Sequence, residues 1–302
     1  MRSDLQFFKD GTEYMKLCTD ITVYWTGQAS SHRNGILNFQ DQALAVIGQH
    51  LTSYETAQMT GGRPLNRQAL NLISDWTSQA LDEEAFVSIK MEGGVVTDMP
   101  SDTALGFWSV PFRGNRVGAI KAVLPASAAA NPDWLRNLAV GMVDGLALHS
   151  GHAGYSINWD YRGRYAPLCR RTMGRLARRF PGIDLPDIHG ALMAIPSGMK
   201  RVNWLSFLGT GLVDRFGGIA PLKDVLTGPA IELHTGRNNV VIEAGRAPGI
   251  GDVNRRERLE PYHEVGRALA PVRSRTHPPF LAGPGGPIDE ELSAEWLGWF
   301  DA

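Results

Sequence analysis

The sequence predicts an α+β fold in which mixed or antiparallel sheets pack with amphipathic helices. Three observations predict it. Runs rich in β-branched and aromatic residues alternate with segments of helical period. Several of those runs follow one another as hairpins, with no helix between them. Residues that tolerate tight turns, such as Asn238 and Asn239, separate two of them. With 302 residues the chain is long enough for one large domain or two ordinary ones. The reading taken is one domain over 1–302, with a division into an N-terminal half, 1–130, and a C-terminal half, 131–302, left open.

The elements follow in order. DITVYWTG, 20–27, is β-branched and aromatic and reads as a strand ending in glycine. NFQDQALAVIGQHLTSYE, 38–55, places Leu44, Ile47 and Leu51 at helical spacing and reads as an amphipathic helix despite Gly48. TGGRP, 60–64, is a loop. NRQALNLISDWTSQALDE, 66–83, reads as a second helix, with Leu70, Ile73, Trp76, Thr77 and Ala80 on one face. AFVSIKMEGG alternates Val87, Ile89 and Met91 against Phe86, Ser88 and Lys90, the period of a strand. ALGFWSVPF and NRVGAIKAVLP are two further strands, the second closed by Pro125. Asn131 before Pro132 is an N-cap followed by a proline in the first helical position. The helix it opens, 132–149, turns Leu135, Leu138, Met142 and Leu146 inward and carries His149 at its carbonyl end, where a cationic ring suits the dipole.

HAGYSINWD then reads as a strand with Ala153, Tyr155, Ile157 and Trp159 on one face and Gly154, Ser156, Asn158 and Asp160 on the other. GRYAPLCRRTMGRLARRFPG, 163–182, is a strongly basic helix that stops before Pro181, its arginines a solvated face. GMKRVNWLSFLGTGLVDRFGG, 198–218, reads as a loop into an apolar helix. AIELHTGRNNVVIEAG, 230–245, is a hairpin, and EPYHEVGRALAPV, 260–272, a short helix. THPPFLAGPGGP is a surface loop, and DEELSAEWLGWFD closes the chain as a helix with Trp296 and Phe300 four residues apart.

The apolar fraction of 43% and charged fraction of 20% are those of an ordinary globular protein. A net charge of −1 draws the chain neither to nucleic acid nor to an anionic membrane. Cys18 and Cys169 cannot build a disulfide framework or a four-cysteine zinc site, and fit a reducing compartment. The start, MRSDLQFFKDGTEYMKLCTD, lacks a signal-peptide pattern, and no run of about 18 apolar residues is present. The expectation is a cytoplasmic chain.

HSGHAGYSINWD, 149–160, concentrates the polar chemistry of the chain. Ser150 lies beside His149 and near His152, but no glycine-flanked nucleophile elbow surrounds it, and neighbours on a strand point to opposite faces. His149 and His152 lack the i, i+4 spacing and intervening glutamate of a helical zinc pair. GTGLVDRFGG follows an apolar segment and misplaces the third glycine of a dinucleotide loop. No catalytic residue, cofactor or metal is therefore assigned.

Three stretches, SGHAGYSINWD (150–160), MKRVNWLSFLG (199–209) and EAGRAPGIGDVNRRERLEPYHEVGRALAPVR (243–273), together with the ending FLAGPGGPIDEELSAEWLGWFD, resemble the type VI immunity protein family of bacteria. The resemblance implies a non-enzymatic protein that binds and neutralises a cognate type VI secretion toxin encoded nearby, a nuclease-type effector being one fitting partner, by occluding its active site. It identifies no contact residues. Two other readings stay open: an enzyme that reverses or degrades a toxin product, and an adaptor that loads toxin. The recurring polar residues read first as structural, with Asn203 capping a helix, Gly151 and Gly154 allowing a tight helix-to-strand turn and close packing, and Asp252 or Asn254 closing the GIGDVN loop onto backbone amides. The functional alternative gathers His152, Asn158, Asp160, Asn203, Asp252 and Asn254 into one polar cleft.

Overall fold

The computed structural model describes residues 5–93, 100–159, 164–280 and 290–302. The strands are β1 (Gln6–Lys9), β2 (Thr12–Thr26), β3 (Leu51–Thr56), β4 (Arg63–Pro64), β5 (Val87–Gly93), β6 (Ala104–Phe112), β7 (Asn115–Pro125), β8 (Ser150–Trp159), β9 (Leu205–Gly209), β10 (Ile231–Thr235) and β11 (Asn239–Ala244). The helices are α1 (Arg33–Ile47), α2 (Arg67–Trp76), α3 (Pro132–Val143), α4 (Ala166–Arg179), α5 (Ile188–Ala194), α6 (Thr210–Arg215), α7 (Ile219–Val225), α8 (Glu260–Leu269) and α9 (Glu290–Leu297). All the strands join one sheet in the order β10-β11-β9-β8-β2-β7-β6-β5-β3-β4, with β1 on the start of β2. Every pairing within it is antiparallel. The fold is α+β.

The long strand β2 lies in the middle and is buried from Cys18 through Trp25. Its residues alternate between two environments. Ile21, Val23 and Trp25 meet Ile89, Phe107, Ile120 and Phe207 from neighbouring strands, under Ile36 and Phe39 of α1, Ile73 of α2, Leu135 and Met142 of α3 and Val265 of α8. Tyr24, pointing the other way, packs with Val117 and Ala119 of β7 against Ala191 and Leu192 of α5. Where β2 begins and β8 ends, Met15, Ile157 and Trp159 meet Cys169, Met173 and Leu176 of α4, with Phe280 and Trp296. Strand β2 from the first half of the chain is thus held between β7 and β8, which flank the midpoint of the sequence.

Local sequence explains most of the boundaries. The Asn66 side chain accepts from the Ala69 N–H to start α2, and the Asn131 side chain accepts from the Trp134 N–H to start α3. Both helices are shorter than their apolar periods predict, α2 ending at Trp76 and α3 at Val143. Two expectations are overturned. The helix over 38–55 ends at Ile47, and Leu51–Thr56 pairs with β5 as a strand, because the β-branched and aromatic run after Gly48 suits a pleated surface. The apolar stretch around Leu205–Gly209 is β9 and not a helix, so Asn203 precedes a strand and caps none. All five residues of β9 are buried, which leaves no period to separate a doubly covered strand from a core helix.

Gly151 and Gly154 lie inside β8 instead of in a turn before it, while the close packing expected of them is present. A Cβ on Gly151 would stand 2.5 Å from the Thr22 carbonyl oxygen, and one on Gly154 would collide with the Asn203 side chain.

Candidate functional site

The charged residues of the sheet interior form one row. Thr22 on β2 is opposite Lys121 on β7 and His152 on β8, and His152 is opposite Ser206 on β9. Asp20, two residues before Thr22, points to the same side. Two residues from the loops around α5 close the row from above. Asp184 is held by its backbone N–H, which donates to the Tyr155 carbonyl at 2.8 Å, and Lys200 comes from the stretch before β9. All five side chains, Asp20, Lys121, His152, Asp184 and Lys200, are buried.

Their pairing is specific. The Lys121 ammonium lies 2.6 Å from Asp20 Oδ2. Lys200 Nζ donates to Asp184 Oδ1 at 2.9 Å, to Oδ2 at 3.0 Å and to the Leu185 carbonyl at 2.7 Å. His152 Nε2 stands between the two carboxylates, 3.7 Å from Asp20 Oδ1 and 3.5 Å from Asp184 Oδ2. Burial opposes ionisation of Asp184, but Lys200 and His152 outweigh it and hold the carboxyl well below the usual range. Burial works against the Lys121 ammonium too, yet Asp20 beside it leaves its pKa above the ordinary value. For Lys200 burial prevails over Asp184 and the pKa is lowered.

Asp20, His152 and Asp184 present three metal-type ligand atoms within 4.8 Å of one another. Charge decides against a resident divalent cation there: two ammoniums already match two carboxylates, and a further double charge would be buried without compensation. A second trio, Glu232, His234 and Glu243, lies on the hairpin β10–β11 at one end of the sheet, where His234 Nε2 is 3.0 Å from buried Glu243 Oε2 and Arg136 takes the other Glu243 oxygen at 3.3 Å.

Beside the row, Arg201 is also buried, donates to the Pro181 carbonyl at 2.9 Å and stacks over Trp296 at 3.7 Å from the ring centre. Burial pushes its pKa down to about 9, which leaves it cationic at neutral pH. His149, expected as a cation at a helix end, is instead several residues past α3, and burial followed by Arg215 pushes its pKa down to about 4. It is neutral at pH 7.

The sequence-nominated residues fall in several places. His152 is in the charge row. Asn203 is close to it, its Oδ1 accepting from the Trp204 N–H at 2.7 Å and its side chain filling the space above Gly154. Asn158 donates to the Ser101 carbonyl at 2.9 Å and lines a cavity of about 220 Å³ together with Lys121, Trp108 and His189. Asp252 is fully buried in a different loop, gripped by Arg179 at 3.1 and 2.9 Å, and accepts from the Asn254 N–H at 3.1 Å. The Asn254 side chain is exposed. Asp160 lies outside the described residues. Asp20, Lys121, Asp184 and Lys200, the partners that give His152 its setting, were not singled out in the sequence. The one signal was a lysine inside an otherwise apolar strand, NRVGAIKAVLP.

The row ties β7, β2 and β8 to the loops carrying Asp184 and Lys200. None of Asp20, His152 and Asp184 lines the adjoining cavity. Such an arrangement holds backbone segments in register.

Comparison with known proteins adds two findings. Residues 104–300 match the family TsiV, described as Type VI immunity for VRR-NUC. A solved structure described as Pseudomonas aeruginosa T6SS protein PA0821 superposes with a TM-score of 0.81 at 19% identity, covering 96% of this chain and 83% of that one. That likeness concerns the fold. No curated relative matches the chain.

Proposed function

The chain belongs to the TsiV family, Type VI immunity for VRR-NUC, and from that membership we propose that it binds one cognate VRR-NUC nuclease toxin and blocks its active site in the cytoplasm of the cell that makes both. The match over residues 104–300 carries the reading. Inhibition by binding asks for a stable, shaped surface of on the order of 1,600 Å² and a few anchor residues, and for no bond-making group. The buried charge row supports that role: its histidine is 3% exposed and its carboxylates are matched by ammoniums. His152, Asn158, Asn203 and Asp252 then serve to hold the shape, and the whole chain acts as one unit around its continuous sheet. Among the described residues no helix is long and apolar enough to cross a membrane.

The test is titration of the purified nuclease with this chain. Inhibition that completes at one-to-one stoichiometry, with a complex that co-elutes in gel filtration, is the expected result. Protection at far below one equivalent means an enzyme, and a complex that leaves the nuclease active means an adaptor; either overturns the proposal.

A further inference from the structure

The immunity reading names a partner without saying where it docks. One surface joins exposed carboxylates to exposed apolar groups. Asp82, Glu83 and Glu84 are three consecutive exposed acids, followed by Phe86, which is 38% exposed and rests its ring on His189 of α5 at 6.2 Å. Met193, one turn further along α5, is 57% exposed. A cavity of about 290 Å³ runs from Met193 to Phe112 and Arg113 at the β6–β7 turn. On the other side of that turn a cavity of about 300 Å³ returns from Phe112 and Arg113 to Glu83 and Glu84. Shared lining residues therefore connect the acidic loop, the β6–β7 tip and α5 into one continuous face. Strand β6 extends it: Trp108, half-buried, lies over Gly106, where any side chain would collide with its indole.

The acidic loop is set from beneath. Arg116 is 2% exposed, and its guanidinium donates to the Asp82 carbonyl at 2.8 Å, the Ala85 carbonyl at 2.5 Å and the Ser109 carbonyl at 3.1 Å. The loop's carbonyls are spent on this cation while its carboxylates face outward. Such pre-organisation removes part of the ordering cost of binding.

We propose that this face, centred on Glu83, Glu84, Phe86 and Met193, is where the cognate nuclease docks. The inference rests on the immunity reading. Charge selects the occupant. A nuclease grips a polyanion, so the groove around its active site is cationic. The exposed charges named on this face are Asp82, Glu83 and Glu84 against Arg113, so it is acidic on balance, and carboxylates beside aromatic anchors complement such a groove. The exposed side of α4 is the opposite case: Arg171, Arg175 and Arg178 project there, and a cationic groove repels them.

The experiment compares the wild-type chain with Glu83→Lys/Glu84→Lys, with Met193→Lys and with a control, Arg171→Glu/Arg175→Glu, by calorimetric titration against the cognate VRR-NUC nuclease and by nuclease inhibition. All the substituted side chains are exposed, and matching thermal midpoints check that each variant folds. The docking variants are expected to bind about 100-fold more weakly or worse, with the charge-reversal pair losing most at low salt, while the control stays within about threefold. Wild-type affinity in both docking variants, or a loss confined to the control, overturns the surface while leaving the immunity reading standing. A wild-type chain that neither binds nor inhibits the nuclease overturns the immunity reading itself.

Discussion

Lys200 Nζ caps both oxygens of Asp184, at 2.9 and 3.0 Å, with neither side chain more than 4% exposed. The pair closes the charge row over β2 and β8, and removing one member strands the other in a medium that cannot solvate it. Lys200→Met is expected to lower unfolding stability by about 3–5 kcal/mol. Lys200→Met with Asp184→Leu should lose less than Lys200→Met alone, because no uncompensated charge remains. Urea unfolding of the two variants checks this; a double variant that is the weaker of the two contradicts it.

Arg116 makes a separate prediction. Its donors serve carbonyls of residues 82, 83 and 85 and both oxygens of Ser109. A lysine there has three donors on one atom and cannot span that set. Arg116→Lys is expected to raise amide exchange and protease cleavage around 82–86 while the sheet interior stays protected. Unchanged exchange in that loop would show that the guanidinium does not order it.

The backbone crossing at Gly151 is tight on two sides. A methyl group there would stand 2.5 Å from the Thr22 carbonyl oxygen and 2.8 Å from the Phe207 ring. Neither β2 nor β9 can yield without disturbing its own pairing. Gly151→Ala is expected to destabilise by about 1–3 kcal/mol, measured as a drop in the denaturation midpoint with the slope unchanged.

Acid should weaken the fold above the range where carboxylates titrate. Burial, then Arg215, pushes His149 from 6.5 down to about 4, and burial lowers His32 and His277 as well. These rings fold neutral. Below about pH 6.5 the unfolded chain takes up protons that the folded one refuses, so stability is whole above that pH and declines as pH falls toward 4. Within that window His149 contributes at most about 1.4 kcal/mol per pH unit. A series of thermal midpoints from pH 7.5 to 4.5 should slope downward, and His149→Gln should flatten part of the slope.

What was legible in the sequence depended on whether a segment carries its own signal. Strands β6 and β7 coincide with ALGFWSVPF and NRVGAIKAVLP, because turn residues bound both runs. Asn131 before Pro132 marked the start of α3, and Asp252 closes its loop onto the Asn254 amide as expected. Burial on both faces erases the period of strand β9, so its sequence alone does not separate it from a core helix. The charge row was hidden for a different reason. Asp20, Lys121, His152, Asp184 and Lys200 come from five separate stretches; the pairing of β2 with β7 and β8 brings the first three together, and the loops around α5 supply the other two. His152 could be nominated from its polar surroundings, but its partners depend on register, which local composition does not encode.

The position of β2 also governs timing. It leaves the ribosome early, yet one neighbour, β7, starts at Asn115 and the other, β8, at Ser150. At roughly 5–20 residues per second of translation, the segment ending at Thr26 waits several seconds or more for the strand that will cover its second edge. Until then the edges of β2 are open, and the newborn chain has to be kept from pairing there with the wrong strand.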